Sequence, residues 1–205
     1  MRTTFTLTDK KTRGYVVTQV DDFLARARSA YDDTADAADL VADAELAAAD
    51  VPIAIAVNHP TSLTAQIIRH TAFAMHKGGY VPAEVDAALE RLEDAFAARE
   101  RELAIAELGP EAWEARTQAA GMVIQARLER PRGHRFTRTS FLVVGYRRAD
   151  VDRFARRLER YFRGSADLTR DEVRTVVFRP ERGGYREDQV DALLDGVVDV
   201  MLAVR

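Results

Sequence analysis

The sequence predicts an all-α protein made of tandem turn–helix repeats packed as a helical bundle, and three observations lead there. A glycine–tyrosine segment followed by a valine–aspartate helix start occurs four times along the 205 residues. Downstream of the second copy, Val85, Leu89, Leu92, Phe96 and Leu103 recur at alternating helical spacings, the stripe of a helix that packs on another helix. Strand-like signal is confined to the run VPIAIAV at 51–57, with no second clear strand to pair with it. A chain that is 47% hydrophobic and 31% charged can bury a core of this kind.

The four copies align without gaps from the tyrosine onward. They read RGYVVTQVDDFL from Arg13, GGYVPAEVDAAL from Gly78, VGYRRADVDRFA from Val144 and GGYREDQVDALL from Gly183. The shared glycines are Gly14, Gly79, Gly145 and Gly184, and the shared tyrosines Tyr15, Tyr80, Tyr146 and Tyr185. Val20, Val85, Val151 and Val190 follow, each joined to an aspartate: Asp21, Asp86, Asp152 and Asp191. Upstream, copies two and four carry an LT-initiated stretch ending at Phe73 or Phe178, whereas copies one and three carry Phe5 or Phe136 farther from the tyrosine. The order is A-B-A-B, as if one A-B pair had been duplicated.

Each shared position has a physical reason. Glycine before tyrosine permits a positive φ or a close backbone approach. An aspartate early in a helix can accept from the free N–H groups and oppose the positive dipole end, so the four aspartates are expected to be helix caps, with Thr18 to Asp21 resembling a capping box. The tyrosine ring is expected to plug the turn against the apolar stripe.

Helices are expected at about 18–31, 36–48, 63–73, 82–107, 111–129, 148–162, 169–177 and 187–204. Thr64 and Thr169 fit the N-caps of the two short ones, and Pro82 fits a first helical turn. Gly109-Pro110 separates two long helices, and Pro131-Arg132-Gly133 marks the passage to the second pair. The organisation is therefore a first repeat pair at 1–109 with an acidic insertion at 32–60, a linking helix at 110–130, and a second repeat pair at 131–205.

Charge is uneven although the net value is only −3. The stretch 32–50 is acidic without a basic residue, while 127–163 is dense in arginine. Such a block suits phosphate, anionic lipid or an acidic partner, or it solvates a helix face. The absence of cysteine excludes disulfides and thiolate chemistry. The N-terminus lacks a secretory apolar core, and 51–57 is far short of a membrane span, so a cytoplasmic protein with at most peripheral membrane contact is expected. His59, His70, His76 and His134 are scattered, and no phosphate-binding glycine loop or nucleophile elbow is present. These observations favour a non-enzymatic protein with no catalytic residues, cofactor or metal site. No nucleic-acid-binding signature accompanies the arginines, which argues against that partner class.

The signature of copies two and four, LT-x3-I/V-x4-F, then GGY, then a VD-x2-L helix start, resembles the N-terminal domain of the bacterial DivIVA family. The likeness is weaker in copy one and weakest in copy three. The resemblance implies a scaffold of cell division or polar growth that gathers at curved membrane, with a loop before the Gly-Tyr pair that inserts an aromatic and a basic residue into the bilayer. Carried over by position, the basic residues are Arg13, Lys77 and Arg182. Only copy three offers an apolar wedge, Phe141, Leu142, Val143 and Val144, flanked by Arg138, Arg147 and Arg148. The same run could instead pack inward. The family assembles through a long C-terminal coiled coil, and with the helix of the fourth copy running to Arg205, filament assembly is not expected to carry over. Two readings follow: a scaffold at the inner face of the membrane, or a soluble protein-interaction module acting as a monomer or homodimer without lipid contact.

Overall fold

A computed structural model describes residues 5–41 and 63–204. Seven helices and four three-residue strands are present among the described residues, so the protein is mostly helical. It divides into two compact units, Met1–Gly109 and Pro110–Arg205. The expectation of an all-α fold is corrected: each unit holds a small two-stranded antiparallel sheet.

The first unit runs β1 (Arg13–Tyr15), α1 (Val17–Val41), α2 (Ala65–Arg69), β2 (Met75–Lys77) and α3 (Pro82–Leu108). The second runs α4 (Pro110–Leu128), β3 (Val144–Tyr146), α5 (Arg148–Phe162), α6 (Arg170–Arg174), β4 (Pro180–Arg182) and α7 (Glu187–Ala203). β1 pairs with β2 in the register Arg13–Lys77, Gly14–His76, Tyr15–Met75, and β3 pairs with β4 as Val144–Arg182, Gly145–Glu181, Tyr146–Pro180. The strands escaped the sequence reading because three residues show no alternation of period two. They exist because the Gly-Tyr segment of each A copy pairs with the chain just before the Gly-Tyr segment of its B copy.

Several helix limits differ from expectation for identifiable reasons. α1 continues without a break through the interval expected at 32–35, and the remainder of the helix expected at 36–48, together with VPIAIAV, lies outside the described residues. The helices expected at 63–73 and 169–177 are single short turns. Thr64 caps α2 by accepting from the Ile67 N–H at 3.2 Å, and Thr169 forms a full capping box with Glu172. Both stop early because Phe73 and Phe178 must leave the helix to reach a tyrosine across the unit. The 110–130 segment, expected to link the halves, is α4 and packs on α5 and α7 inside the second unit.

The first core gathers Phe5, Val20, Phe23, Ile68, Tyr80, Val85, Leu89 and Phe96. The corresponding residues Phe136, Val151, Phe178, Tyr185 and Val190 form a cluster in the second unit. The aromatic contacts follow one plan. Phe5 meets Tyr80 edge-on at 5.2 Å and Phe136 meets Tyr185 at 5.3 Å, while Tyr15 meets Phe73 at 5.6 Å and Tyr146 meets Phe178 at 5.2 Å. Each ring of an A copy is thus seated on a ring of its B copy, a contact worth roughly 0.5–1.5 kcal/mol beyond the buried area.

The glycines settle which of their two expected roles applies. None of the four that precede tyrosine has a positive φ; that conformation falls one residue earlier, at Gly78 (71°) and Gly183 (67°). A Cβ on Gly14 would collide with the carbonyl oxygen of Tyr80, and one on Gly79 with that of Tyr15; Gly145 and Gly184 face Tyr185 and Tyr146 in the same way. Close approach of two backbones is therefore the requirement. Gly145→Ala should destabilise the chain by about 1–3 kcal/mol, read as a lower urea midpoint, whereas alanine at Gly121, around which a Cβ meets nothing within 4 Å, should leave the midpoint unchanged or raise it.

Candidate functional site

The tyrosine hydroxyls and the repeat aspartates pair reciprocally. Tyr80 donates to Asp21 Oδ1 at 3.1 Å and Tyr185 donates to Asp152 Oδ1 at 3.1 Å. The other two tyrosines complete the exchange, Tyr15 with Asp86 and Tyr146 with Asp191. Each aspartate thus serves the tyrosine of the opposite copy, and the cap assignment is overturned. Asp21 and Asp152 stand in the second turn of α1 and α5, too far along to cap. At α3, α5 and α7 the N-cap residues Val81, Arg147 and Arg186 make no side-chain cap bond.

Asp152 carries more than its tyrosine. It also accepts from the Gly133 N–H at 3.0 Å and from Arg135 Nη1 at 3.2 Å, and both charged side chains are almost fully buried. Arg135 Nε donates to the Leu128 carbonyl at 2.7 Å, which ties the end of α4 to the start of α5. Arg135 stood in the arginine block without distinction; its burial depends on α4, which the local sequence does not reveal.

A further contact escaped the sequence reading. The fourth residue after each tyrosine, just before the shared valine, is Gln19, Glu84, Asp150 or Gln189. Gln19 accepts from the Ala74 N–H at 2.8 Å, Glu84 from Thr6 N–H at 2.8 Å, and Gln189 from Thr137 N–H at 2.9 Å. Asp150 instead accepts the Arg179 guanidinium at 2.8 and 2.6 Å, and that contact, outweighing the opposing desolvation, holds its carboxyl down at about 2. The signal was available: all four positions carry a side-chain oxygen acceptor.

The expected contact residues divide between the units. Arg13 and Lys77 face each other across β1–β2 and are exposed, at the tip of the first unit beside Lys10 and Lys11. Phe141, Leu142, Val143 and Val144 form the matching tip of the second unit. Thr8 donates to the Thr12 carbonyl at 3.1 Å in one tip and Thr139 to the Val143 carbonyl at 2.9 Å in the other, so the two loops share one construction. The inward-packing alternative for 141–144 is overturned: Phe141 is 76% exposed and Leu142 69%. Around this loop the exposed cations are Arg138 and Arg182, the latter paired with Val144 across the sheet. Arg148 is instead engaged with Glu181 at 3.5 Å, and Arg147 is half-buried. Among the described residues no helix is long and apolar enough to cross a membrane.

Comparison with protein-family models, curated proteins and solved structures finds no match for this chain.

Burial, reinforced by the neighbouring carboxylates, pushes Tyr146 and Tyr185 up to about 12. Burial and the Asp86 contact raise Tyr15 as well. The folded state therefore holds these phenolic protons more tightly than the unfolded chain, where tyrosine titrates near about 10. Their contribution to stability is complete below about pH 10 and is lost as pH rises toward about 12. Urea titrations at successive alkaline pH values should show the midpoint falling across that window, with a shallower fall in Tyr185→Phe. Asp152→Ala should cost about 3–5 kcal/mol at neutral pH by stranding the buried Arg135.

Proposed function

We propose that this chain is a non-enzymatic, DivIVA-related scaffold protein that meets an anionic membrane surface through the loop of residues 141–144. The observation that carries this reading is four consecutive apolar residues held in the open at the tip of a sheet, with Arg138 and Arg182 exposed beside them. An apolar wedge next to guanidinium groups has the chemistry of a peripheral membrane contact: burying a large side chain contributes about 1.5–3 kcal/mol, and each arginine near an anionic surface about 1 kcal/mol. A few such terms give weak, reversible binding rather than permanent insertion. The basic tip of the first unit, Lys10, Lys11, Arg13 and Lys77, would add only electrostatic attraction.

The paired construction supports the relationship to tandem DivIVA-like repeats. Each unit carries one A copy and one B copy, crossed at their Gly-Tyr segments and exchanging Tyr–Asp contacts. An A-B pair is therefore a closed unit within one chain, and a duplicated pair accounts for both halves. A role in cell division or polar growth at the inner face of the membrane follows from that relationship.

Sedimentation with vesicles containing anionic lipid tests the membrane part. At low salt the protein should pellet with the vesicles, and Phe141→Ser with Leu142→Ser should reduce the bound fraction at least about tenfold, given the apolar area removed. Arg138→Gln with Arg182→Gln should weaken binding and flatten its salt dependence. Failure to pellet at low salt would sink the membrane reading and leave a soluble interaction module in its place.

A further inference from the structure

An apolar groove of about 1030 Å³ lies between α1 and α3 of the first unit, floored by Leu24, Ala27, Tyr31, Ala88, Leu92 and Ala95. The second unit shows what fills the matching position. Counting from the shared tyrosines, Leu24 and Ala27 correspond to Ala155 and Leu158 of α5, and Leu92 to Val197 of α7. Those three residues are buried in one cluster with Ile124 and Leu128 of α4. Gly196, the counterpart of Arg91, lies so close that a Cβ there would touch Ile124 at 3.5 Å. Asp152 is 6% exposed beneath this cover, whereas its counterpart Asp21 is exposed. Among the described residues of the first unit no helix corresponds to α4.

The rim charges state what kind of helix would fit. In the second unit the segment formed by α4 and the turn after it brings Arg135 to Asp152 and Glu159, at 3.2 and 3.9 Å, and Glu129 to Arg163 at 3.4 Å. The counterparts in the first unit are Asp21, Arg28 and Asp32. The first position keeps its sign and the other two reverse it. A helix suited to the first unit must therefore carry two apolar residues one turn apart, a cation for Asp21 that stands clear of Arg28, and a second cation where α4 has Glu129.

We propose that the α1–α3 groove of the first unit binds an amphipathic helix of a partner protein, with an apolar pair in the place of Ile124 and Leu128 and basic residues facing Asp21 and Asp32. This is helix-in-groove recognition, in which apolar anchors contribute affinity and rim charges select the partner. It stands whether or not the protein meets a membrane.

Labelled synthetic peptides covering residues 110–135 test it against the full-length chain by fluorescence anisotropy at low salt. One peptide keeps the natural sequence and the other carries Glu129→Arg. The substituted peptide should bind saturably and about fivefold tighter, the effect of one favourable rim pair of about 1 kcal/mol. Ala25→Glu, at an exposed position on the groove wall, should weaken both peptides at least tenfold while the circular dichroism of the chain is unchanged. Asp32→Arg, which leaves the apolar lining intact, should reverse the preference between the peptides. Absence of saturable binding by either peptide, binding indifferent to Ala25→Glu, or a preference unmoved by Asp32→Arg would overturn the proposal. So would a dimer by light scattering that Ala25→Glu dissociates, because the groove would then be filled by a second copy.

Discussion

In each unit two glycine–tyrosine segments cross so closely that the backbone N–H and carbonyl of one tyrosine bond those of the other. The distances are 2.9 and 2.9 Å between Tyr15 and Tyr80, and 2.9 and 2.8 Å between Tyr146 and Tyr185. Everything else in the unit is arranged around that crossing. The absence of a Cβ on the preceding glycines brings the backbones together; the crossing then throws each tyrosine into the opposite copy, where a phenylalanine meets the ring and an aspartate meets the hydroxyl. The two helices that leave it are held by side chains from their partner's half as well as their own. A unit built this way should unfold as one cooperative body, since no copy can bury its tyrosine alone.

The same construction leaves two surfaces free to differ between the units. The loop tips share their hydrogen bonds, yet one presents Asp9, Lys10, Lys11 and Thr12 and the other Phe141, Leu142 and Val143. The faces between paired helices share their framework, yet one is closed by α4 and the other, among the described residues, is a groove. Reciprocal contacts fix the centre, and divergence is confined to positions where it does not disturb that centre. Arg135 and Asp152 show the boundary: the aspartate belongs to the common centre, while its second partner is added by the covering segment of the second unit.

The repeat was legible because its residues are few, spaced identically and chemically demanding. Gly14, Tyr15, Val20, Asp21 and their counterparts stand out in sequence, as do the threonine caps at Thr64 and Thr169, whose bonds are local. Local reasoning misread the aspartates for the same reason. A carboxylate near a helix start has an obvious partner in the nearest N–H groups, and nothing nearby announces a tyrosine hydroxyl arriving from 59 residues away. Gln19, Glu84, Asp150 and Gln189 do not stand out as a repeat position because their common feature is a hydrogen-bond acceptor rather than a residue type. The exposure of Phe141 to Val144 was also beyond reach, since consecutive apolar residues in a loop carry no periodicity that would say which side faces water.

The sequence by itself determined that the chain is largely helical, where most helices begin, and that four equivalent turns organise it, because these follow from local backbone preferences and from spacing that any reader can count. Tertiary structure alone decided that the turns pair A with B inside each unit, that the glycines serve close approach instead of positive φ, and that α4 closes the helix pair of the second unit. The reason is physical: the deciding contacts join residues far apart in sequence, and their partners exist only once the two backbones have crossed.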